Sequence, residues 1–286
     1  MSIPRWLDRI TRLSIVAACL FALVSPASAA APVLDVTIDG ETRRFTRDAL
    51  LARPDVSSVE IAADVAYGKP MRFRAIPLAA LLTGLRAPAD SVIETVALDG
   101  FAAQLPLDLV TNTDPAKAIA WLAIEPADAP WPDLPGKSST AGPFYIVWTG
   151  ADAAAIRSEQ WAYQVAKLES QLSPPARWPE LAVDPALPAT HEVRAGQALY
   201  VTQCLPCHTI NGAGSGNVGP DMNRPMNPTE YMTRGALHAL IRDPKSVRTW
   251  PTQIMPAFAV DQMSDRDIDL VIGYLAHMAT RRTAQQ

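Results

Sequence analysis

The chain has 286 residues, 49% of them hydrophobic and 19% charged, with a formal net charge of −4. This is globular rather than disordered composition, and its length suits two domains that each bury a core. Residues 31–190 hold 13 basic and 20 acidic side chains and residues 191–286 hold 9 and 8, so neither half has the basic patch that nucleic-acid binding requires.

At the N-terminus, Arg5, Arg9 and Arg12 precede an apolar run from Leu13 to Val24 and the small-residue stretch Ser25 to Ala30. This order predicts a cleavable signal peptide over residues 1–29, cut after Ala29, and hence export to a periplasm. Twelve apolar residues are too few to cross a bilayer, and the mature chain of about 255 residues is expected to carry no transmembrane segment. Val16-Ala17-Ala18-Cys19 loosely matches a lipoprotein cleavage box, but the apolar run continues past Cys19, which argues against lipidation there.

Residues 30–171 read as a mixed, mostly β domain of the α+β kind. Leu34, Val36 and Ile38 alternate with polar residues, and Asp39-Gly40 supplies a turn into Glu41 to Phe45, a strand and hairpin signal. Val56 to Ala62 and Met71 to Arg74 read as strands, and Pro77 to Leu82 as a short helix. Val92 to Leu98, a turn at Asp99-Gly100, and Phe101 to Leu105 form a second hairpin. Ile119 to Ile124 and Phe144 to Trp148 are apolar strands, Glu125 to Pro143 is a long loop, and Gln160 to Glu169 fits helix or strand equally. From 172 to 190 five prolines (174, 175, 179, 185 and 188) predict an extended, semi-stiff linker.

Residues 191–286 turn helical. Glu192 and Arg194 lead through Gly196, Leu199 and Tyr200 into Cys204-Leu205-Pro206-Cys207-His208. Two cysteines three apart share one side of a helical turn, so each thiol can add to a vinyl group of the same haem, and the following histidine supplies the proximal imidazole. A zinc half-site is the competing reading, but zinc needs four ligands and the chain has no second cysteine pair. Cysteine use closes on this reading: Cys19 leaves with the signal peptide, and Cys204 and Cys207 take one covalent haem c. The last helix is capped by Ser264, with Asp265, Asp267 and Asp269 near its positive end and Ile268, Val271, Ile272 and Leu275 on one apolar face. Gly196 and Tyr274 read as a close helix–helix approach.

With Gly196, Cys204 to His208, Gly219-Pro220-Asp221, Met255-Pro256-Ala257-Phe258 and the Asp267-to-Leu275 helix, residues 190–280 resemble a class I c-type cytochrome, an all-α fold. The resemblance implies His208 and Met255 as axial ligands of the haem iron. Met222, Met226, Met232, Met263 and Met278 are the rival methionines, and His238 is the donor if a second histidine replaces the thioether; His191 and His277 read as surface or core residues. It also implies that the Pro220 carbonyl bonds the other nitrogen of His208, and that Tyr231, Arg248 and Trp250 surround the haem propionates, with simple packing the alternative for Trp250.

The first domain resembles a shortened molybdopterin-binding domain of the sulfite-oxidase family. The resemblance rests on Ile76-Pro77-Leu78, Val96 to Phe101, Leu105-Pro106-Leu107, Ala120 to Ala123 and Gly142 to Val147. That family binds molybdenum through a cysteine, and this domain has none, so molybdopterin is not expected and a scaffold or docking role is. The combined expectation is a periplasmic monohaem electron carrier, not an enzyme, passing electrons from a dehydrogenase donor to a cytochrome or oxidase acceptor. A haem peroxidase with a labile Met255, a sulfite-dehydrogenase-like fusion and a haem-based sensor are the alternatives. The acidic first domain suits either steering toward a basic partner surface or ordinary solubility.

Overall fold

The computed structural model describes residues 31–282 apart from 85, 87 and 89; the expected signal peptide and Cys19 lie outside the described residues. These described residues form one compact unit. Within it are two separate hydrophobic clusters, one under two β-sheets and one among helices.

The chain opens with β1 (Val33–Ile38) and β2 (Glu41–Thr46), an antiparallel hairpin. Its turn residues Asp39 and Gly40 both have positive φ, 52° and 83°, the mirror-image turn that matches the twist of paired strands. Leu34, Val36 and Ile38 are buried as their alternation predicts. Short helix α1 (Arg47–Leu51) follows, capped by Thr46, whose hydroxyl accepts from Ala49 N–H at 3.2 Å. Next come β3 (Ser57–Ile61), β4 (Met71–Pro77), α2 (Leu78–Leu81), β5 (Ser91–Ala97), β6 (Ala102–Pro106), α3 (Leu107–Val110), β7 (Ile119–Ile124), β8 (Phe144–Thr149) and β9 (Val165–Leu172). One sheet has the order β2-β1-β9-β5-β6, with β1 and β9 parallel and the other pairs antiparallel. The second, β3-β4-β7-β8, is antiparallel throughout. Both sheets feed one core, where Phe73 packs edge-on against Trp131 (ring centroids 4.8 Å apart) and against Tyr145 (5.7 Å). The segment that fitted helix or strand equally resolves into a 3-10 turn at Ser158–Gln160 and the central strand β9.

The proline-rich stretch is not the extended spacer its composition suggests. Pro174–Arg177 forms a helical turn, α4, and Pro179–Leu181 a 3-10 turn, each starting with proline. At a first helical position the missing N–H has no intrahelical partner to lose, so proline initiates these turns rather than breaking them. The segment is also anchored at both ends. Arg177 pairs with the buried Glu94 of β5 at 2.6 Å, and the carbonyl of the fully buried Leu181 accepts from Gln197 Nε2 (2.7 Å) and Tyr274 O–H (2.9 Å).

The helical region comprises α5 (Glu192–Gln203), α6 (Pro228–Tyr231), α7 (Arg234–Arg242), α8 (Pro244–Val247) and α9 (Asp265–Ala279). Ser264 caps α9 in a reciprocal box with Asp267, both bonds 3.1 Å. α5 and α9 meet at Gly196, where an added Cβ would overlap the Leu270 carbonyl oxygen and lie 3.0 Å from Tyr274 Cβ. One turn on, the Tyr200 and Tyr274 rings pack with centroids 5.3 Å apart. Among the described residues no helix is long and apolar enough to cross a membrane.

Candidate functional site: a crevice around the Cys-x-x-Cys-His turn

α5 does not stop cleanly at Gln203. Cys204 and Leu205 N–H both donate to Tyr200 O at 2.9 Å, and His208 N–H donates to Cys204 O at 2.8 Å. The run 204–208 is therefore one further turn, which puts the side chains of Cys204 and Cys207 on the same side. Both line a crevice of about 370 Å³, within the ~300–1,000 Å³ of cofactor pockets. Burial pushes each thiol up to about 12, so both are neutral at physiological pH.

His208 enters the crevice from the end of this turn. Its Nδ1 lies 2.8 Å from Pro220 O. A carbonyl only accepts, so Nδ1 carries the proton and Nε2 is left with a free lone pair. Burial also lowers the pKa of His208, which keeps the ring neutral. Gly219 is required by this packing: a Cβ there would overlap the imidazole, 2.9 Å even from Nε2. Asp221 then folds the loop back, accepting from Thr209 Oγ1 (3.0 Å) and from the N–H groups of Asn211, Gly212 and Asn223 at 2.6–3.2 Å.

A ladder of three asparagines locks this loop to the end of α9. Asn223 Nδ2 donates to Asn211 Oδ1 and Met278 O, each 2.8 Å, and Asn227 Nδ2 donates to Asn223 Oδ1 and Leu275 O, each 2.9 Å. Two carbonyls of the last turns of α9 thereby accept a side-chain donor, that of Met278 in addition to the Arg281 N–H.

The apolar lining comes from α7, α9 and the loop between α8 and α9: Leu237, Leu240, Ile241, Val271, Leu275, Met255 and Phe258. Arg242 holds this loop, with Nη1 donating to Phe258 O and Met263 O at 2.6 Å each and Nη2 to Asp265 at 2.7 Å. Of the methionines, Met255 and Met222 line the crevice. Met263 and Met278 are core residues, Met232 packs beside that core and Met226 is exposed. Tyr231 and Trp250 line the rim, largely exposed; Arg248 stands outside the lining, its guanidinium 6.0 Å from the Trp250 ring centroid. The remaining histidines are engaged elsewhere: His191 caps α5, His238 lies 3.6 Å from Asp265, and His277 Nε2 accepts from Asp184 N–H at 3.0 Å.

Among the lining residues not legible in the sequence are Gln203, Gln253 and Glu159. Gln203 and Gln253 present buried amides with no hydrogen-bond partner among the described residues, and Glu159 reaches in from the two-sheet region. Gln203 sits one residue before the cysteine pair, the single local signal among them. That region also holds the attachment turn directly. Ala102 N–H donates to Pro206 O at 3.0 Å, and Arg157 Nη1 donates to Gln262 O (3.0 Å) and Asp267 Oδ2 (3.2 Å).

Apolar walls, two thiols on one side, an imidazole with a free lone pair, a thioether and two unpaired amides fit a flat macrocycle with a polar edge and a metal at its centre. Residues 193–279 match the family model for cytochrome c. No curated protein matches the chain. The family match supports a c-type cytochrome domain in the C-terminal region, a family whose members bind haem c covalently and transfer electrons.

Proposed function

We propose that this protein is an exported monohaem c-type cytochrome that relays single electrons between protein partners. The observation that carries the reading is the convergence of Cys204, Cys207, His208 and Met255 on one crevice. Cys204 and Cys207 would hold haem c through thioethers, with His208 Nε2 and the Met255 sulfur as donors to its iron. Bound there, haem c would supply a one-electron iron couple. Pro220 fixes the tautomer and ring plane of His208, Arg242 holds the Met255 loop against movement, and the apolar walls exclude water. Tyr231 and Trp250 stand where the polar edge of the group would emerge, and Arg248 supports Trp250.

The two-sheet region is read as a docking scaffold, a shortened relative of the sulfite-oxidase-type fold whose molybdenum-binding cysteine is missing. Its partners would be a dehydrogenase donor and a cytochrome or oxidase acceptor, met in the periplasm after removal of residues 1–29.

The test is spectroscopic. The purified mature chain is expected to retain one haem per chain through acid–acetone extraction, to show methionine-sulfur charge transfer in the ferric state, and to bind no carbon monoxide when reduced. Met255→Ala is expected to lose the charge-transfer band and to bind carbon monoxide. A wild type that binds carbon monoxide readily would replace the carrier with a sensor or peroxidase, and stoichiometric molybdenum would restore an enzymatic first domain.

A further inference from the structure

The turn Ser158–Gln160 belongs to the two-sheet region but packs on β6 and α5. It brings Glu159, a partly buried carboxyl, to the crevice beside Cys204 and Cys207. Arg157 anchors the turn to the N-terminus of α9 through Asp267 and the Gln262 carbonyl, so the guanidinium next to Glu159 in sequence is already engaged. Burial pushes the Glu159 carboxyl up to about 7, and the adjacent Ser158 hydroxyl offsets this only in part. The sheet region thus places a single acid in an apolar, water-poor wall of the redox site.

We propose that Glu159 couples proton binding to the electron: it binds a solvent proton more tightly as the crevice gains an electron from a one-electron protein donor, taking up a fraction of a proton, and releases that fraction when the electron leaves. This rests on haem c occupying the crevice. The other ionisable groups around the turn are few and committed. β6 carries none. On α5, Glu192 pairs with Arg266 at 2.8 Å, Arg194 donates to the carbonyls of Pro188 and Leu187, and the Tyr200 hydroxyl donates to Thr209 O at 3.1 Å. The attachment turn presents Cys204 and Cys207, neutral as thiols or thioethers, and His208, whose Nδ1–H is held by Pro220. Asp99, in the β5–β6 turn, acts on the Cys207 thiol, and Asp267 is held by Arg157 and Ser264.

An added electron makes the crevice one unit more negative and therefore tightens the proton on Glu159. Through an effective dielectric of about 20, unit charges on the order of 10 Å apart shift such an equilibrium about tenfold. The reduced-to-oxidised ratio at fixed potential then falls about tenfold as pH rises from the protonated to the ionised plateau, a drop of ~59 mV for one electron.

The experiment is a spectroelectrochemical titration of the haem-loaded mature chain from pH 5 to 9, with Glu159→Gln and Glu159→Asp alongside. Wild type should step down around neutral pH, Glu159→Gln should stay flat at the acid-plateau potential, and Glu159→Asp should keep a displaced step. A flat wild-type profile overturns the proposal, as does a Glu159→Gln profile that keeps the full step, which would assign it to the propionates of the bound group. Proton uptake on reducing the wild type in weakly buffered solution at pH 7 gives a variant-independent reading; no uptake also overturns it. Covalent haem is quantified first on the same samples. A chain without it defeats the cytochrome reading itself, whereas a loaded chain with no pH step defeats only the role of Glu159.

Discussion

Gly196→Ala and Gly273→Ala place the same methyl group in two helices that touch, and the structure demands opposite signs. In a helix interior alanine is favoured over glycine by about 0.5–1 kcal/mol. At Gly273 the new Cβ meets nothing within 4 Å, so the protein should gain that full amount. At Gly196 the Cβ would overlap the Leu270 carbonyl oxygen, with the carbonyl carbon at 2.9 Å and Tyr274 Cβ at 3.0 Å. The obstacle is backbone, so α9 as a whole must retreat, loosening the Tyr200–Tyr274 contact and the 2.9 Å bond from Tyr274 to Leu181 O. Overpacking costs about 1–3 kcal/mol, and against a backbone obstacle the upper part, about 2–3, applies; subtracting the propensity gain leaves a net loss of about 1–2.5 kcal/mol. Urea unfolding of the haem-loaded proteins, followed by tryptophan fluorescence and far-UV circular dichroism, reads both. The midpoint should rise by ~0.3 M for Gly273→Ala and fall by ~0.5 M for Gly196→Ala, at unchanged slope. Stabilisation of both variants would mean that the α5–α9 spacing is not set by this backbone contact.

Asn223→Ala removes the middle of the asparagine ladder, deleting its bonds to Asn211 Oδ1 and to the Met278 carbonyl and taking an acceptor from Asn227; at about 1 kcal/mol per bond a loss of about 2–4 kcal/mol is expected in the same assay, and a loss under ~1 kcal/mol would show that water replaces it. Arg177→Ala strands the Glu94 carboxylate, only 2% exposed, and should cost about 3–5 kcal/mol, whereas Arg177→Met combined with Glu94→Leu should recover most of it; failure of the double variant to recover would deny that the stranded charge is the cause. Arg157→Ala tests the acid limb. Burial alone would raise the Asp267 carboxyl, but bonds from the Ser264 N–H and hydroxyl and from Arg157 hold it below the ordinary carboxylate range. A depressed carboxyl contributes stability above its unfolded value near 3.9 and loses it as pH falls through the folded value. The variant should therefore be about 0.5–1 kcal/mol less stable at pH 6–7 by thermal melting on account of the ion pair, with the gap narrowing below about pH 4 to the pH-independent part left by the lost bond to Gln262 O; a gap independent of pH would refute the ion-pair origin.

What the sequence disclosed was local. The thiols and imidazole of residues 204–208 are set by one helical turn, and the Ser264 cap needs three residues. Asp39-Gly40 adopts its two positive φ angles within the turn itself. The Gly196–Tyr274 contact was legible as a pairing because a small residue and a ring on two helices imply close approach, though its depth was not. The asparagine ladder, Glu159 and Arg157 were invisible for the opposite reason. Arg157 meets its partners 105 and 110 residues away, and an isolated polar residue carries no periodicity by which to find it. The proline run misled because proline density excludes helix interiors but not helix starts, and short turns are nearly all starts.

Those turns bear on how the two cores are joined. A spacer would leave each hydrophobic cluster closed on its own, and residues 173–183 do the reverse. Arg177 neutralises a carboxylate inside the sheet carrying β5, and four and six residues later Leu181 and Val183 are themselves part of the helical core. The remaining bonds across the seam are made largely to main-chain carbonyls, Pro206 O and Gln262 O, which survive substitution of those side chains. One lies inside the attachment turn and the other just before the cap of α9, so the sheet region grips both strands of sequence that shape the crevice. Glu159, carried on that grip, is thereby placed beside the thiols although it comes from a distant part of the chain.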